Sequence, residues 1–179
     1  DMGVFVRRSG TLFAPDFSLH SDGTATSSIG AYTAWVPVSI SNVTGAGTAV
    51  SPYQVVVVCD AGTTGLRLTM TVNYVNGDSF FTKTMSFSSA SQTAFDAFLG
   101  SDFYLANDDS GVPFLEPTST SPGGQDCGPT PTYTILHIPL TPAQKYSARG
   151  YSTVWSEIGA GTLSNVVDAG CRDNGAALQ

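Results

Sequence analysis

The sequence predicts an all-β chain: an antiparallel two-sheet sandwich in a single domain spanning residues 1–179, with a jelly roll as the commonest version of that plan and one short connecting helix. Three observations predict it. Seven or more short runs rich in β-branched and aromatic residues are separated by Gly, Pro, Ser and Asn clusters. Only one segment has helical spacing, and one long Pro/Gly-rich segment has no periodicity at all. An immunoglobulin-like sandwich is the alternative, but the Cys and Trp spacing does not match its core signature.

Val4 to Val6 opens the series of strands, and Ala31 to Ile40 continues it. Tyr53 to Cys59 is continuously apolar rather than alternating, which predicts a central strand covered on both faces. Residues 66–87, "LRLTMTVNYVNGDSFFTKTMSF", hold two alternating runs around Asn76-Gly77, the pair that favours a two-residue hairpin turn. That turn would place Val72 opposite Phe81, Leu68 opposite Met85 and Leu66 opposite Phe87, leaving Lys83 as the exception on an apolar face.

Ser91 to Leu99, "SQTAFDAFL", reads as the helix, with Ser91 as N-cap, Ala94, Phe95 and Phe98 on one side and Gly100 as the stop. Asp108 to Pro131 reads as a long surface loop, and Tyr133 to Leu140 and Gly150 to Trp155 as further strands. There is no internal repeat and no domain linker.

Charged residues make up only 12% of the chain, about half the usual share, and the net charge is −7. Ser, Thr and Gly must therefore supply much of the surface. The seven Lys and Arg are scattered without a basic arm, so the phosphate-neutralising term that dominates nucleic-acid affinity is missing. No stretch approaches the ~18 apolar residues of a membrane-spanning helix, so no membrane segment is expected. No signal-peptide pattern opens the chain, and removal of one before Asp1 stays open.

Cys59, Cys127 and Cys171 are odd in number, widely spaced, and without a CxxC or Cys/His grouping. An odd set fits a reducing compartment better than an oxidising one. One disulfide plus a free thiol is the other arrangement, with Cys127 and Cys171 the first choice because both lie in loop-like sequence.

The chemistry-bearing residues are sparse. The two histidines are His20 and His137; His137 shares its strand face with Tyr133 and Ile135 and reads as a sheet histidine, with no GxSxG elbow to support a triad. Asn107, Asp108 and Asp109 offer oxygens to calcium, yet the closing Glu of a calcium loop is absent and turn chemistry explains them. Glu116 and Glu157 stand in unlike contexts, so paired-carboxylate catalysis is only permitted. Asn42-Val43-Thr44 matches a glycosylation acceptor, relevant in a secretory pathway. Arg7-Arg8 could touch phosphates or form a strand-end ion pair, and Trp35 and Trp155 read as core or interface. No catalytic residue, cofactor or metal is expected.

The last residues carry a resemblance. Gln179, Leu178 before it and the small Ala176 two further back resemble the product of the chymotrypsin-like cysteine proteases that process the polyproteins of picorna-like viruses. With the size, the low charge and the β pattern, the chain resembles a small jelly-roll capsid protein of a picorna-like plant virus of the secovirus group, cheravirus-like in length. The resemblance implies a non-enzymatic coat subunit in an icosahedral virion shell, assembled in host cytoplasm with sister capsid proteins. It implies at most weak contact with packaged RNA, and Asp1 and Gln179 as processing termini on an exposed polar tail, "CRDNGAALQ". The competing expectation is a secreted or surface binding module, either a bacterial fimbrial adhesin tip or a viral receptor-binding spike domain. A bridged Cys pair would favour the module, and three free thiols the capsid subunit. A glycan-active enzyme on a jelly-roll scaffold ranks last, for want of an acid/base pair.

Overall fold

The computed structural model describes residues 1–19, 28–105 and 107–179. In chain order the strands are β1 (Met2–Arg8), β2 (Thr11–Ala14), β3 (Thr33–Ala34), β4 (Val36–Ile40), β5 (Tyr53–Asp60), β6 (Leu66–Tyr74) and β7 (Thr82–Ser89). They continue as β8 (Asp96–Asp102), β9 (Ser110–Glu116), β10 (Ser121–Gln125), β11 (Thr134–Leu136), β12 (Tyr146–Gly150), β13 (Val166–Val167) and β14 (Arg172–Leu178). The helix α1 (Tyr151–Ala160) lies between β12 and β13. The described residues thus form an all-β fold with two antiparallel-rich sheets and the short helix α1. It divides into two compact units, one of Asp1–Tyr32 with Phe95–Gln179 and the other of Thr33–Ala94.

In the larger unit β1 and β2 join through Ser9-Gly10, both at positive φ (50° and 83°), the mirror-image turn whose twist matches the strands it connects. β8 pairs antiparallel with β1 on one side and with β14 on the other, and β14 pairs in turn with β12. Among the described strands, β12 and β13 by contrast run parallel. One face of this sheet is sealed by α1: Phe5, Leu12, Phe98 and Ala177 pack with Val154, Trp155 and Ile158, and the Phe5 and Trp155 rings meet edge to face at 5.1 Å. Gly100 has no side chain because Ile158 and Trp155 occupy the space a Cβ would need. The opposite face holds Ala176 with Phe103 and Leu105, and β9 and β10 pack against β14 and β12 there.

The smaller unit is a four-stranded sheet in the order β4-β5-β6-β7. β5 is central, as its continuous apolar run predicts, but its residues are half-buried rather than covered on both faces. One face carries Val55, Val57, Met70, Val72, Met85 and Phe87 with Lys83; the other carries Thr69, Thr71, Thr84 and Ser86 with Val56 and Val58.

The hairpin forms, but in a different register from the predicted one. Asn76-Gly77 does turn, with Asp78 N–H donating to the Val75 carbonyl at 3.1 Å. The ladder nevertheless closes at Asn73 and Thr82, so Leu68 faces Phe87, Met70 faces Met85 and Val72 faces Lys83. Asn76 N–H is bonded to the Gly47 carbonyl (2.8 Å), and Ser79 to Phe81 stand outside the ladder. The offset is two residues, an even number, so the predicted faces survive: Leu68 is buried and Arg67 exposed.

Other expectations are overturned. Ser91 to Leu99 contains no helix; Asp96–Asp102 is strand β8, bonded on both edges. The helix is instead Tyr151–Ala160, where a strand over Gly150 to Trp155 is predicted. Its buried Val154, Trp155 and Ile158 share one side, and Gly161 ends it in the left-handed conformation with its N–H on the Glu157 and Ile158 carbonyls. The Asp108 to Pro131 loop contains the β9-β10 hairpin, turned at residues 117–120. The expected exposed polar tail is strand β14, buried from Asn174 to Ala177.

Candidate functional site

Among the described residues, the acidic side chains close enough together to hold a metal ion lie where β8 ends and β14 begins. Asp102 closes β8 opposite Gly175, and Asp173 sits two residues earlier on β14, on the same face of the ladder. The chain then turns back through Leu105 to Asp108 and enters β9, where Ser110 pairs with Asp173 and brings Asp109 alongside. One carboxylate oxygen from each of Asp102, Asp109 and Asp173 lies within 4.8 Å of the others.

The electrostatics follow from that crowding. Burial, reinforced by the charges of Asp173 and Asp109, pushes the Asp102 carboxyl up to about 7, so it holds a proton under conditions where an ordinary aspartate has lost it. Burial, with the Asp109 charge, also raises Asp173, which is hydrogen-bonded to Asp102. Oδ1 of Asp102 and Oδ1 of Asp173 are inaccessible and without a hydrogen-bond partner. With an oxygen of the exposed Asp109 beside these two, the three carboxylates offer ligands to a hard divalent cation, and the Asp102–Asp173 pair by itself stores one proton.

Of the predicted calcium triplet, only Asp109 enters this cluster. Asp108 is occupied by the turn, its Oδ1 accepting from Ser110 N–H at 2.9 Å, and Asn107 takes a positive φ of 65°. Asp102 and Asp173 carry no local sequence signal, since each is one acid in an unremarkable strand.

The other sequence candidates are spread over the fold. Glu116 closes the β9-β10 turn, accepting from Thr118 N–H, Ser119 N–H and the Ser119 hydroxyl, which hold its carboxyl down at about 2. Glu157 pairs with Arg149 at 3.0 Å, and Arg149 also reaches Asp168, so the two glutamates serve separate networks. His137 is buried with its ring 5.5 Å from that of Phe103, while Tyr133 and Ile135 are exposed. His20 lies outside the described residues. Arg7 donates from Nη1 to the Gly159 carbonyl (2.6 Å) near the end of α1, where the helix dipole favours a cation. Trp155 is core and Trp35 is buried. Cys127 and Cys171 are joined in a disulfide that ties the segment after β10 to the start of β14, and Cys59 is a free thiol.

No family model, no curated protein and no solved structure matches this chain.

Proposed function

We propose that the chain is a non-catalytic binding module that folds in an oxidising compartment and is displayed on a surface, of the kind found in adhesin tips and viral receptor-binding domains. The observation that carries this reading is the bond between Cys127 and Cys171. Disulfides persist outside the cell, in the secretory lumen, in the periplasm and on virion surfaces, whereas cytosolic thiols are kept reduced. The low charge, and the hydroxyls of Thr69, Thr71, Thr84 and Ser86 beside Val56 and Val58 on one face of the smaller sheet, suit a module presenting a weakly charged, hydrogen-bonding surface.

A second reading is a coat subunit of a small icosahedral picorna-like RNA virus, released from a polyprotein and held in a virion shell by sister capsid proteins. What favours it is exposed apolar surface, with Ile40, Val50 and Leu140 among the large side chains left open to solvent, which an assembly would cover.

Thiol alkylation and native mass on material from the natural source separate the two. The module reading expects only Cys59 to be alkylated before reduction, on a species that is not part of a shell. Three reactive thiols in a large particle with sister β chains would overturn it in favour of the coat subunit.

A further inference from the structure

We propose that Asn42 is a site of N-linked glycosylation, and that its oligosaccharide covers the open edge of the smaller sheet. The inference rests on the reading of a chain that folds in an oxidising lumen, and it adds a modification site to that reading.

Asn42-Val43-Thr44 is the only Asn-x-Ser/Thr triplet in the sequence. The structure puts it in a suitable place. Beyond β4, Ser41 N–H donates to the Val56 carbonyl (2.9 Å), and Thr44 and Gln54 exchange backbone bonds at 3.0 and 2.9 Å. Two residues, Asn42 and Val43, therefore stand opposite the single residue Val55. This is a bulge, which bends the strand and re-aims its side chains. Asn42 and Thr44 are both exposed.

A second, independent observation concerns what surrounds the triplet. β4 is the outer strand of its sheet, with no strand beyond it among the described residues. The neighbouring apolar side chains are far more open than apolar side chains usually are: Ile40 is 73% exposed, Val43 65% and Val50, in the same loop, 96%. An open edge flanked by exposed apolar residues is an aggregation hazard that proteins ordinarily cover or charge. The 38–53 stretch "VSISNVTGAGTAVSPY" contains no charged residue to do so. A bulky hydrated oligosaccharide on Asn42 supplies the missing cover.

The transfer forms a bond between Nδ2 of Asn42 and the anomeric carbon of a lipid-diphosphate-linked oligosaccharide. The bond from that carbon to the diphosphate breaks, the lipid diphosphate departs with the electron pair, and the amide proton passes to a base of the transferase.

The test is secretion of the full chain from glycosylation-competent eukaryotic cells, followed by intact mass with and without peptide N-glycosidase, and by thiol alkylation of the same sample. The expected result is one oligosaccharide per chain, removed by the enzyme with conversion of Asn42 to aspartate, on protein whose Cys127–Cys171 bond is closed. Asn42→Gln and Thr44→Ala should both abolish the mass increment and Thr44→Ser should retain it, which separates the sequence requirement from any folding defect. Secreted protein with the disulfide closed and Asn42 unmodified would overturn the glycosylation site alone. Protein with three free thiols and no oligosaccharide would overturn the site together with the oxidising-compartment reading.

Discussion

Asp102 and Asp173 meet across the β8-β14 ladder as a hydrogen-bonded carboxyl pair, with the Asp102 carboxyl raised to about 7 first by burial and then by the Asp173 charge. A group whose folded pKa lies above its ordinary value of 3.8 favours the fold while it is protonated. Its contribution is complete below 3.8 and is lost as pH rises through about 7.

Melting temperature should accordingly fall as pH is raised towards and through 7. Glu116 acts in the opposite sense, but its window lies between 4.5 and about 2, so a titration kept above 4.5 leaves Glu116 out, and the Asp102→Asn comparison separates the aspartate pair from the histidines. Asp102→Asn, neutral at every pH, should flatten the slope and raise the melting temperature at neutral pH. Parallel curves for the two proteins would show that the pair is not the source of the dependence.

A Cβ on Gly124 would stand 2.1 Å from Nδ2 of Asn174, and one on Gly111 would stand 2.4 Å from its Oδ1. Asn174 is fully buried and its amide has no hydrogen-bond partner. Gly124→Ala should cost about 1–3 kcal/mol through overpacking. The loss should shrink when Asn174→Ala is added, because the second change opens the contested space and removes an unsatisfied amide. Additive losses in denaturant titrations would mean that the two positions do not compete.

Replacing Cys127 and Cys171 together by Ser should lower stability by about 2–5 kcal/mol, since the bond closes a long stretch of chain, with a sequence separation of 44. Cys59→Ser, at a half-buried free thiol, should change little. Equilibrium unfolding of the two variants provides the comparison, and equal losses would contradict this assignment of roles.

Trp155→Ala should cost about 3–5 kcal/mol, because its ring is buried between Phe5, Phe17 and the sheet. Leu68→Ala in the smaller unit should cost about 2–5 kcal/mol. A near-zero loss at Leu68 would mean that its face is not a packed one.

By itself, the sequence determines the β class, the continuous apolar run of β5 and the alternation of β6 and β7, because such patterning and Gly/Asn punctuation are local properties of a strand. Its odd cysteine count points to a reducing compartment and offers Cys127 with Cys171 only as the first choice for a single bridge, which the structure forms; it also marks Asn42 as an acceptor. The tertiary structure decides whatever depends on a distant partner. "SQTAFDAFLG" has helical spacing, yet Asp96–Asp102 becomes a strand because β1 and β14 bond to both of its edges. Tyr151–Ala160 begins with β-branched and aromatic residues, yet it coils because Val154, Trp155 and Ile158 fill one core over Gly100. The hairpin register differs by two from the predicted one, and the turn's Asn76 N–H bonds to Gly47, far from it in sequence. The carboxylate site belongs to the same class: no window of sequence holds Asp102, Asp109 and Asp173 together, and only the pairing of β14 with β8 and β9 brings their charges within reach of one another.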